Sequence, residues 1–392
     1  MAQSRRGADT LSDELFCIRG ISILLVVVVH VLGVDAIHGV RKLFATDRME
    51  LRVVAELIHS FNMAVMLMGS GVAVAAFGRA DLSLPEFLRK KLNKLFVPML
   101  VWAPILFVTQ EALKGRIHGQ EGWIQVLRQL PYTWFPPYSI FWFVHALVGC
   151  TLMTWLFRKA AGRVLGRWSA AVYFGLAGVL YLAVDTWASR QPGGPADYLR
   201  MILYWNRFFG LGLMLHPWLA IARRVIERQS ATVQALLPVS CFSVITIIYA
   251  LLPAEHYEVA RTVNGPLGFC LLFSLAVLLR RRSLEAGALW REAWGRLVVT
   301  GSLSMAIYLF HLYFVVGTRV ALKHWLPEPI AAVHIVPGIL MGCMGPWVLY
   351  HLFKGLPFFH WSIGLSQAVP RPGAEEAQPA ETLAALPFTS KL

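Results

Sequence analysis

The stretch "LFCIRGISILLVVVVHVLGV", residues 15–34, decides the fold. A bilayer core about 30 Å thick is crossed by about 20 mainly apolar helical residues. This run has that length, with Arg19 and His30 as its only basic residues. Working outward, comparable windows recur near 53–77, 96–113, 139–157, 169–187, 200–221, 233–252, 262–281, 298–321 and 330–352, about ten spans joined by short loops. With 57% of 392 residues hydrophobic and 15% charged, a soluble globular enzyme is excluded. The expected fold is all-α, a polytopic integral membrane bundle. Its parts are a cytoplasmic segment over 1–14, a membrane domain over 15–355 and a Pro-, Ala- and Glu-rich tail over 365–392 that reads as disordered and cytoplasmic. No fixed-period repeat and no pair of matching halves is evident.

Charge sets the expected orientation, because short cytoplasmic loops retain Lys and Arg. With the N-terminus inside, the loops on that side carry roughly twice as many basic residues as those outside, which predicts both termini cytoplasmic. The formal charge of +14 then reads as topology and attraction to anionic lipid, not as nucleic-acid binding. Cys17, Cys150, Cys241, Cys270 and Cys343 fall in predicted spans at unrelated spacings, so neither a disulfide framework nor a metal site is expected. The first apolar run exceeds a signal-peptide core and lacks a small-x-small cleavage site, so it reads as a retained helix. A bacterial inner membrane is the expected location.

Arg19 and His30 are eleven residues apart, about three turns plus 20°, so they share one helical face about 16 Å apart along the axis. Arginine in a span is expensive unless it snorkels to the headgroups, and an imidazole in lipid needs partners for its nitrogens. Each alone reads either as an anchor or packing residue or as a functional group. "LRKKLNKLFVPMLVW" (88–102) places Lys91 and Lys94 one turn apart at a cytoplasmic helix end, suited to an anionic ligand or simply to a positive-inside loop. "GSLSMAIYLFHLYF" (301–314) places Ser304, Tyr308 and His311 on one face. Arg207 and Asp185 are expected to pair across helices, since intramembrane charges find partners. His145, three residues from Trp142, suits either an outer cavity or interfacial packing. His38, His59, His118, His256 and His324 lie near loops or span ends, where solvation accounts for them. The pairs Gly175 with Gly178 and Gly210 with Gly212 read as close helix contacts.

These segments together resemble the membrane acyltransferase-3 family. Arg19-Gly20 followed by His30 is similar to its first-helix pattern of an arginine, ten residues and a histidine. "IHSFNMAVMLMGSG" (58–71) resembles its second helix ending in Ser-Gly, here Ser70-Gly71. Lys91 and Lys94 with Leu95 and Pro98 stand where the family usually carries Arg-x-x-Arg-Leu and a proline. "IFWFVHALVG" (140–149), "FFGLGLML" (208–215) and "SLSMAIYLFH" (302–311) match three further segments in order. Two departures stand out. Lysines replace the phosphate-matching arginine fork, and Asn62 stands where many relatives carry histidine.

The resemblance implies transfer of an acyl group, most simply acetyl, from cytosolic acyl-CoA to a hydroxyl of an envelope or exported glycan. It implies no permanently bound cofactor, and its partners are acyl-CoA, a glycan acceptor that is lipid-linked or exported, membrane lipid and polysaccharide machinery. Histidine can take and return a proton near neutral pH, so His30 is the expected general base or the site of an acyl intermediate. Arg19 is expected to hold the donor or polarise its carbonyl, and Lys91 and Lys94 to bind donor phosphates. Ser70, His145, Tyr308 and His311 are expected in lining or supporting roles. Rival readings are a transporter or flippase of a glycan precursor, and a non-catalytic export subunit.

Overall fold

A computed structural model describes residues 2–36, 38–79, 82–190, 194–252, 256–326 and 330–364. The tail expected over 365–392 lies outside them. The described residues form helices and no strand: α1 (Ala2–Leu32), α2 (Met49–His59), α3 (Asn62–Phe77), α4 (Leu84–Lys91), α5 (Val97–Leu113), α6 (Gly119–Gln129), α7 (Trp142–Ala160), α8 (Gly162–Leu165), α9 (Ser169–Arg190), α10 (Pro195–Glu227), α11 (Ala231–Leu251), α12 (Tyr257–Glu285), α13 (Ala288–Ser302), α14 (Ser304–Trp325), α15 (Ala331–Phe353) and α16 (Pro357–Ser362). The chain is a polytopic helical membrane protein.

Nine stretches among the described residues are long and apolar enough to cross a membrane. The sixth expected span, 200–221, is not among them. It lies within α10, where Arg200, Asn206, Arg207 and His216 dilute the hydropathy. α10 is nonetheless 33 residues, about 50 Å, and it runs along α3. Glycines make that approach possible. A Cβ on Gly71 would strike the carbonyl of Phe209, and one on Gly212 would strike that of Met68. The Ser70-Gly71 and Phe-Phe-Gly-Leu-Gly motifs thus meet as two halves of one helix crossing. Gly175 and Gly178, expected to act likewise, have open space where a Cβ would go.

α1 is central. Its apolar part, Thr10–Leu32, is mostly buried against α13, α3, α12, α14 and α15. Gly20 meets the Leu297 carbonyl and Gly301 meets that of Phe16, so α1 and α13 touch backbone to backbone beside Arg19. α1 ends at Gly33, whose φ of +111° turns the chain away, and the Arg41 guanidinium donates to the Gly33 carbonyl at 3.2 Å. Lipid-facing helices look different: α11 leaves Leu236, Val239, Phe242 and Ile247 exposed, the surface expected of a helix bathed in acyl chains.

Three irregularities shape the interior. The second span breaks at Ser60 and Phe61, where Asn62 Nδ2 donates to the Ser22 carbonyl of α1 at 3.0 Å and Asn264 Nδ2 donates to Ser60 Oγ at 3.1 Å. Between α4 and α5 the helix widens into a π turn over Leu92–Phe96, a feature often found at functional positions. The ninth expected span, 298–321, is two helices. The chain breaks at Leu303, and the membrane helix starts at Ser304 and runs to Trp325. Beyond the last span, α16 turns back: Phe359 stacks on Phe310 at 5.8 Å, and Trp102 Nε1 donates to the Ser362 carbonyl at 3.0 Å.

Candidate active site

α1 and α14 lie side by side and meet at two points. At the first, Arg19 Nη2 donates to Ser304 Oγ at 3.0 Å. At the second, the rings of His30 and His311 approach to 5.0 Å between centroids, tilted by 39°. The two polar stripes, Arg19 to His30 and Ser304 to His311, therefore form facing walls joined at both ends. The break at Leu303 matters here, because it starts α14 with Ser304 at the level of Arg19.

The two histidines are held differently. His311 is fully buried, and its Nδ1 lies 2.8 Å from the Tyr308 carbonyl and 3.0 Å from that of Ile307. Carbonyls only accept, so the proton sits on Nδ1 and Nε2 keeps its lone pair, buried without a hydrogen-bond partner. His30 is half-buried and makes no hydrogen bond among the described residues. Its nitrogens are open to an incoming group. Tyr308 lies one turn below His311, its ring 6.3 Å from that of His311 and its hydroxyl donating to the Ile140 carbonyl. The segment before α7 thus reaches the wall of the histidine pair.

Arg19 is half-buried and has no carboxylate in ion-pair distance among the described residues. Lys94 is close enough for the two charges to repel, and Lys91 and Lys94 repel in turn. The lysines line a cavity of about 240 Å³ with Arg79, Lys90, Arg158, Thr154, Trp155 and Phe87. Its aromatic wall is ordered: Trp155 stacks on Phe87 at 5.2 Å, and Lys91 Nζ lies 6.0 Å from the Phe87 ring. The π turn places Lys94 in this group. Strongly basic and aromatic, the cavity suits phosphates and a planar base.

The remaining expected residues are elsewhere. Ser70 Oγ donates to the Met66 carbonyl of its own helix at 2.8 Å. His145 Nδ1 is 2.9 Å from the Tyr198 hydroxyl, in a cluster with Phe96 at 6.4 Å. Neither makes a contact with the histidine pair. Asp185 pairs with Arg200 at 3.7 Å rather than with Arg207, which lies over the rings of Tyr181 and Tyr204 at 4.0 and 4.6 Å. Arg158 and Trp155 carry no motif and were missed. Their one signal was a basic residue one turn after a tryptophan at the end of a helix.

A family model described as an acyltransferase domain matches residues 13–351, nearly the whole membrane portion. No curated protein and no solved structure matches the chain.

Proposed function

We propose that this chain, which belongs to the acyltransferase-3 family and is a membrane acyltransferase, moves an acyl group, acetyl first among them, from cytosolic acyl-CoA to a hydroxyl of an envelope or exported glycan at a bacterial inner membrane. One observation carries the reading. The same two helices join Arg19, beside the basic cavity, to the His30 and His311 pair about 16 Å further along α1.

The nucleotide end of the donor occupies the basic cavity, its phosphates against Lys91, Lys94 and Arg158 and its base against Trp155 and Phe87. A cavity of about 240 Å³ is smaller than a whole coenzyme, so the pantetheine arm runs past Arg19 and between α1 and α14 toward His30. His30 takes the acceptor hydroxyl proton. The oxygen attacks the thioester carbonyl beside the histidine pair, the tetrahedral intermediate collapses as the C–S bond breaks, and the thiolate leaves to be protonated from His30, while Arg19, about 16 Å away along α1, holds the arm of the donor. His311, its tautomer fixed by two carbonyls, holds the His30 ring in place.

This reading is tested by profiling esters on all envelope glycans from a deletion strain complemented with the wild-type chain or with His30→Ala at matched membrane abundance. One ester is expected to return with wild type alone. Equal restoration by both chains would overturn His30 as base.

A further inference from the structure

The outer half of the bundle contains a second group of charges that the mechanism does not use. Tyr204 on α10 is 5% exposed, and two guanidiniums lie on its ring: Arg207 at 4.6 Å and Arg261 of α12 at 5.8 Å. Arg207 also lies 4.0 Å from the Tyr181 ring, and Arg261 lies 5.5 Å from Trp205 and 4.8 Å from Tyr257. Among the described residues neither arginine has a carboxylate in ion-pair distance. Asp185 is taken by Arg200 at 3.7 Å and Glu56 by Arg52 at 2.8 Å, while Glu258, exposed at the start of α12, pairs with neither. The Tyr204 hydroxyl and Arg261 Nε are buried, and the Arg261 side chain lies within hydrogen-bonding reach of the Tyr204 and Tyr257 hydroxyls. Two like charges share one ring, and ring faces offset only part of the cost of withdrawing them from water.

The group is continuous with the histidine pair. Trp205 stacks on Trp142 at 5.1 Å, Trp142 meets Phe143 at 6.0 Å, Phe143 meets Tyr308 at 5.7 Å and Tyr308 meets His311 at 6.3 Å. His59, at the end of α2, is near enough to interact electrostatically with both Arg261 and His30. Indole and phenol faces suit the C–H faces of a sugar ring, and a guanidinium fork suits a carboxylate or phosphate.

We propose that Arg207 and Arg261, carried on the Tyr204 ring, form an anion-recognising subsite for the acceptor, so that the acceptor is a glycan bearing a carboxylate or phosphate near the hydroxyl that is acylated. The proposal rests on the acyltransferase reading above. Uronate and sugar phosphate share the chemistry, and the test separates them.

The full chain is reconstituted in liposomes and offered three matched oligosaccharides: neutral, uronate-containing and phosphate-substituted. Binding is followed without donor through tryptophan fluorescence, and transfer is followed separately with labelled acetyl-CoA. An anionic oligosaccharide is expected to bind the wild-type chain more tightly than the neutral one, with the stronger of the two anionic ligands identifying the source of charge. Arg261→Gln is expected to lower the anionic-to-neutral ratio about tenfold or more, and Arg261→Lys to restore part of it. Equal binding of neutral and anionic oligosaccharides by wild type overturns the subsite, as does a ratio unmoved by Arg261→Gln. Anionic preference in binding with no transfer to any acceptor overturns the acyltransferase reading instead. Transfer without anionic preference overturns the subsite alone.

Discussion

At one end Lys91, Lys94 and Arg158 line a cavity, whereas at the other Arg207 and Arg261 lie over tyrosine and tryptophan rings. Flexible ammonium groups hold several phosphates without demanding one geometry, so they suit a donor that must enter and leave each cycle. Stacked guanidiniums lose less freedom when they bind and impose a planar, directed geometry, so they suit discrimination among acceptors. Between the ends, the histidine pair repeats the contrast on a smaller scale. His311 is fixed by two carbonyls and His30 is free.

The largest effect separates those two histidines. His30→Gln is expected to lower acyl transfer about 10²- to 10⁴-fold in single-turnover assays, with the chain still monodisperse and its melting temperature nearly unchanged. His311→Gln is expected to lower it less and to lower thermal stability too, because it removes a buried group bonded to the α14 backbone. Equal losses in rate would erase the distinction drawn here. Next comes the crossing that positions Arg19. Gly20→Val drives a side chain into the Leu297 carbonyl, and a loss of about 1–3 kcal/mol is expected, read as a lower melting temperature in detergent.

Smaller effects sharpen the contrast between the ends. Lys91→Ala with Lys94→Ala is expected to raise the KM for acyl-CoA about tenfold, more at low salt than at high, while leaving the acceptor KM in place. Lys94→Arg is expected to lower the donor KM. A shift in acceptor KM instead would place the lysines outside the donor site. The smallest concerns the loop after α1, where Arg41 donates to both Asp47 oxygens at 2.7 and 2.6 Å and holds the Asp47 carboxyl below its usual range. A depressed carboxyl pKa contributes stability above its unfolded value and loses it as pH falls through the folded one. The protection of residues 38–48 against hydrogen exchange, with the intrinsic pH dependence of exchange divided out, is therefore expected to stay constant from neutral pH down to about 4 and to fall below it.

The first helix was legible because its signal is local: length, apolarity and an eleven-residue spacing that fixes one face. The pairing of Ser304, Tyr308 and His311 on a stripe was legible for the same reason. Its apposition to His30 was not, since no local rule joins residues 281 positions apart. The break at Leu303 follows Gly301 and Ser302, a pair too short to lower the hydropathy of a window of about 20 residues, so hydropathy ran straight through it. α16 was missed because an aromatic run after Lys354 reads as a cytoplasmic loop until Phe310 is there to receive Phe359. Asn62 had no reading beyond its departure from a pattern, and it tethers α3 to the backbone of α1. His59 reads from sequence as a solvated span end, and Arg261 carries no motif. Only the fold shows that Tyr204, Trp205 and Tyr257 surround Arg261.

The returning C-terminal turn has a consequence for how the protein is made. Phe359 and Ile363 are buried against helices synthesised much earlier, and Gly364 sits against the Lys94 carbonyl and Pro98. Contacts so distant along the chain form only once every helix between them has been laid down, so this latch closes after the bundle it rests on, and the wall beside Lys94 is completed late in folding.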